Sequence, residues 1–163
     1  MELSTFYAVL SGTCLALVGL WWSALDRRPA LLASPAARRA SGGVLLTFLL
    51  PGGMGLFAQV DPSQPWVWRS TFVILAAIGV VSTWQLIRLD TTSRVGPLRW
   101  LAAASYAVVL VIAVAPVVAD WSGLAGRQAA GLVLVLLVLV AHALAWDVLT
   151  GHQTATPPAG EPE

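Results

Sequence analysis

The chain has 163 residues, 58% of them apolar and only 10% charged, with a mean hydropathy of +0.79 and a formal net charge of +1. A soluble domain is about a quarter charged, and this chain has too few polar groups to cover one of its size. The near-zero net charge also excludes the dense basic face of a nucleic-acid-binding protein.

All nine basic residues are arginine, which together with the richness in Ala, Val, Leu and Gly fits a GC-rich bacterial genome. Cys14 is the only cysteine, so no intramolecular disulfide can form. A helix needs about 20 apolar residues to cross the ~30 Å hydrocarbon core. Charged residues divide the chain into five runs of about that length, at about 4–25, 42–60, 68–88, 99–119 and 128–148. Backbone amides in lipid must be satisfied within their own segment, so each run is expected to be a helix. The expected fold class is all-α: a polytopic, left-handed bundle of five transmembrane helices. Residues 1–150 form its single domain.

The first run follows Glu2 and no basic residue, and it exceeds a signal-peptide core, so it reads as a retained membrane helix. Ala8, Gly12 and Ala16 recur every fourth residue along it, with Gly19 nearby, a stripe expected to pack against a neighbouring helix. The segment 26–40, DRRPALLASPAARRA, is expected to be a topology-setting loop along the lipid headgroups.

The second run contains the stretch LLPGGMGLF. Pro51 removes one helical hydrogen bond, and Gly52, Gly53 and Gly55 leave the backbone bare beyond it. Broken helices of this kind bind substrate in some transporters. Small residues also let a second helix approach closely, and packing is the favoured reading here. A tight turn, DPSQP, leads to the third run, where Gly79 and Ser82 share a face. Ala103 and Ala107 share one on the fourth.

The fifth run contains LVLVLLVLV, which has strand-like composition, but its length without turn signals favours helix. His142 is the one ionisable residue well inside a run, making it a functional candidate. Its depth matches Ser82 and Gln85, so an intramembrane polar cluster of His142, Ser82 and Gln85 is expected, with the histidine as structural glue. The tail, residues 151–163, is polar and proline-rich and is expected to be disordered.

Orientation follows from charge. Arg27, Arg28, Arg38, Arg39, Arg88, Arg94 and Arg99 fall on one side of the expected topology, and only Arg69 and Arg127 on the other. The positive-inside rule puts the larger group in the cytoplasm, the N-terminus outside and the tail inside a bacterial plasma membrane. The eight tryptophans fall near the expected boundaries, as an interfacial belt would. The paired acidic and basic residues Asp61/Arg69 and Asp120/Arg127, at two outer turns, leave an internal duplication open.

Enzyme signatures are absent. No Walker loop, G-x-S-x-G elbow or H-E-x-x-H occurs, and Cys14, His142 and His152 are too scattered for a metal. No catalytic residue, cofactor or metal is therefore expected. The expected partners are the bilayer and a membrane protein or second copy of the chain, with no nucleic acid. The favoured function is a partner-binding or scaffold subunit. One alternative is a small transporter or channel that uses the Pro51–Gly55 break, and another is an interfacial membrane enzyme.

Overall fold

The computed structural model describes residues 2–60, 64–89, 96–118 and 123–151. Among them the chain is all-helical, and five helices are long and apolar enough to cross a membrane: α1 (Leu3–Arg27), α2 (Pro35–Val60), α3 (Pro65–Leu89), α4 (Gly96–Val114) and α5 (Gly126–Gly151). At 1.5 Å per residue, the 25 residues of α1 reach about 37 Å, more than the hydrocarbon core requires. The strand-like LVLVLLVLV lies wholly inside α5.

Local chemistry sets the helix boundaries. Pro29 follows α1 and opens a single 3-10 turn, Pro29–Leu32. The Ser34 hydroxyl then accepts a hydrogen bond from the Ala37 N–H, and Pro35 occupies the first position of α2, where its missing N–H costs nothing. The segment 26–40 is therefore not the extended loop expected. Arg38 and Arg39 belong to the first turns of α2, and Leu31 is buried rather than lying on headgroups.

α4 begins before residue 99 and ends at Val114, short of the expected 119, because Pro116 cannot continue it. Its last carbonyls are not left open. Arg69, from the first turns of α3, donates to the oxygens of Ala113 (2.9 Å) and Val114 (2.6 Å). At the start of α5 the Gln128 side chain reaches back to accept from the Ala125 N–H, half of a capping box.

α2, α3, α4 and α5 form a ring in which each helix touches the next, and α2 also touches α5. α1 packs outside the ring against α2, with a lighter contact to α5. α2, which touches α1, α3 and α5, is the most buried of the five helices.

Two sets of hydrogen bonds hold α1 in place. At its N-terminal end the Tyr7 hydroxyl donates to the Arg127 carbonyl of α5 (2.7 Å), and the Tyr7 ring meets Phe72 of α3 edge-on. At the other end the Trp21 indole donates to the Ser41 carbonyl of α2. The Ser41 hydroxyl donates to Leu31, and Arg28 donates to the Leu149 carbonyl near the end of α5. Trp21 and Trp68 are buried between helices near the helix ends, whereas Trp22, Trp66, Trp84, Trp100 and Trp146 are exposed. Asp61, Asp120, Trp121, Arg94, His152 and the tail from 152 onward lie outside the described residues.

Candidate functional site

α2 continues as helix through Pro51. The expected break is therefore not an interruption of the helix, and its glycines are not open to a ligand. A Cβ at Gly52 would lie 2.9 Å from the Cβ of Cys14, and one at Gly55 would meet the Ser11 hydroxyl and stand 3.2 Å from the Tyr7 carbonyl. All three neighbours belong to α1. Gly53 faces α3 instead, where a Cβ would lie 3.3 Å from the tip of Leu75.

Pro51, Gly52, Met54 and Gly55 are buried. The bare backbone after Pro51 is where α1 comes closest, which is the packing role the small residues suggested. Ser11 adds no unsatisfied group to this contact, since its hydroxyl donates to Tyr7 within α1 (2.7 Å).

The expected cluster of His142, Ser82 and Gln85 does not assemble. His142 is exposed on the flank of α5, with its Nδ1 2.8 Å from the Val138 carbonyl and its ring edge-on to Phe48 of α2 at 5.3 Å. Ser82 donates to Gly79 within α3 (3.0 Å), and Gln85 is exposed beside it. Depth alone had suggested the grouping, but α2 lies between α3 and α5 on this side of the ring.

The polar residues brought together inside the ring are others. Arg99, expected only to set topology, sits in the first turn of α4 and is 8% exposed. It lines a small chamber of about 20 Å³ with Thr47 and Thr83, whose hydroxyls donate to Gly43 and Gly79 in their own helices. The signal for this was local: Gly96 and Pro97 start α4 ahead of Arg99, which draws the arginine into the helix and not into the preceding loop. Nearer the middle of the bundle, the Tyr106 ring fills the space left by Gly79, and its buried hydroxyl has no hydrogen-bond partner among the described residues. Of the other topology-setting arginines, Arg27 ends α1, and Arg88 lies 5.1 Å over the Trp84 ring.

Small residues mark two kinds of surface. Gly79 packs inside against Tyr106, whereas Ala8, Gly12, Ala16 and Gly19 all lie on the exposed face of α1. A Cβ added at Gly12 or Gly19 would meet nothing within 4 Å. The stripe expected to pack within the bundle points away from it. The face that does pack carries Tyr7, Leu10, Ser11, Cys14, Trp21 and Leu25.

No protein-family model, curated protein or solved structure matches the chain. Among the described residues no three of His, Cys, Asp and Glu lie close enough to hold a metal ion. The chemistry that the geometry offers is that of helix packing.

Gly55→Leu should therefore lower stability by about 1–3 kcal/mol, the usual cost of overpacking a filled contact. Gly53→Ala, facing only the tip of a leucine, should cost less. Unfolding of both variants in detergent, followed by circular dichroism, measures the difference.

Proposed function

We propose that the chain is a partner-binding or scaffold subunit of a complex in a bacterial plasma membrane, with its N-terminus outside and its tail in the cytoplasm. The observation that carries this reading is the outward face of α1. A helix held to the bundle by one face presents small residues on the other, with open space at Gly12 and Gly19. Lipid gives helices no hydrophobic reason to associate, so close backbone approach is the main source of affinity between them, and small residues allow it. The occupant that suits this face is a transmembrane helix of another membrane protein.

The filled contact at Gly52 and Gly55 favours this reading over a transport path, which would need polar lining where α1 now packs. The arginine distribution supports the orientation. Among the described residues, Arg27, Arg28, Arg38, Arg39, Arg88 and Arg99 stand at one end of the bundle, and Arg69 and Arg127 at the other.

Purification in mild detergent at native expression should recover a second membrane protein in fixed ratio. Gly12→Leu should release it without changing the thermal midpoint, because the added side chain enters open space. A wild-type chain that purifies alone, or a Gly12→Leu variant that keeps its partner, would overturn the reading. Green fluorescent protein fused after the tail should fluoresce, and alkaline phosphatase fused there should be inactive. The reverse pattern would contradict the orientation.

A further inference from the structure

On the lateral surface of the bundle, α2 and α3 leave a groove of about 330 Å³ between them. Its chemistry changes along its length. Arg39 lines one end, and Leu45, Leu46, Leu86, Ser82 and Gln85 line the rest. The helices run antiparallel, with Gly43 against Leu86 and Gly53 against Leu75, so Arg39 stands about one turn nearer the helix ends than Leu86 and Gln85 do. From Arg39 to Leu46 the groove extends about 10 Å along the helix axis.

Gly42 keeps one wall bare, with nothing within 4 Å of where a Cβ would stand. The basic end lies where headgroups belong. One turn away, Arg88 stacks over Trp84, which meets Trp100 edge-on at 5.5 Å, and arginine and tryptophan together mark a membrane interface.

Arg39 is suited to an anion. Its Nε–H donates to the Pro35 carbonyl (3.2 Å), which fixes the guanidinium and leaves its two terminal nitrogens for a ligand. A guanidinium matches phosphate geometry. Among the described residues no Asp or Glu lines the groove.

We propose that this groove binds one anionic phospholipid of the surrounding bilayer. Arg39 holds its phosphate, and one acyl chain lies along Leu45, Leu46 and Leu86. The apolar wall gives little net affinity, because a chain leaving bulk lipid exchanges one apolar environment for another. Selectivity therefore comes from the headgroup end. Arginine near an anionic headgroup is worth enough for a preference of about five-fold.

Native mass spectrometry of the full chain in detergent, titrated with phosphatidylglycerol and with phosphatidylcholine of the same chains, tests this. Phosphatidylglycerol should bind about five-fold more tightly. Arg39→Gln should remove the preference, and Gly42→Leu, which fills the wall without a clash, should weaken both lipids. Arg38→Gln should retain the preference, since Arg38 bonds the Leu32 carbonyl and lies outside the groove. Equal binding of the two lipids by the wild type would overturn the proposal. So would an Arg38→Gln loss as large as that of Arg39→Gln. Lipid binding unaffected by Gly42→Leu would also overturn it, including the case in which that variant instead breaks up a dimer, since the groove would then hold a second copy.

Discussion

Helices in lipid are not driven together by their apolar surfaces, so this bundle depends on how closely α1 and α2 can approach. Gly52 and Gly55 set that distance. With no side chain at either position, Cys14, Ser11 and the Tyr7 backbone reach the surface of α2, and dispersion contacts form over a length that larger residues would prevent. Pro51 stands one residue before this contact and is buried in it. The helix continues through it, because a membrane helix can absorb a proline when its neighbours hold it in place. The hydrogen bonds of Tyr7 and Trp21 then fix α1 at its two ends.

This close approach divides α1 into two surfaces. The face with Tyr7, Ser11 and Cys14 is committed to the bundle, and the face with Ala8, Gly12 and Ala16 is left to its surroundings. The same separation of inner and outer surfaces recurs at α2 and α3. Leu86 packs into the space at Gly43 and so divides the lateral groove at Arg39 from the inner chamber at Arg99. Basic residues thus stand on both sides of one glycine contact, one exposed to headgroups and one enclosed by helices.

The number and places of the helices were legible in the sequence because charge spacing and apolar length are one-dimensional properties that the bilayer enforces directly. Their ends were less so. Ser34 and Pro35 draw α2 back into a segment that looked like a loop, and Pro116 ends α4 early. Capping depends on side-chain reach that hydropathy does not register. Helix faces were the least legible. A stripe of small residues says that close approach is allowed, not from which direction, so Gly52 and Gly12 looked alike although only Gly52 meets another helix. His142 and Ser82 shared a depth and not a helix contact, because depth fixes only one coordinate. Arg99 was counted by its sign, and its burial depended on where α4 begins.

The contact of α1 with the Pro51–Gly55 stretch underlies the rest of the bundle, and the native cysteine gives a direct way to measure it. A disulfide requires Cβ atoms about 4 Å apart, so the added Cβ at position 52, which would start 2.9 Å from that of Cys14, needs the helices to part by only about 1 Å to reach bonding distance. Gly52→Cys, oxidised in membranes with a mild catalyst and resolved by non-reducing electrophoresis after maleimide labelling, should show both thiols protected within one chain and released by reductant. Two thiols that remain free to label after oxidation would mean that α1 does not lie on the glycines of α2, and the packing described here would be wrong.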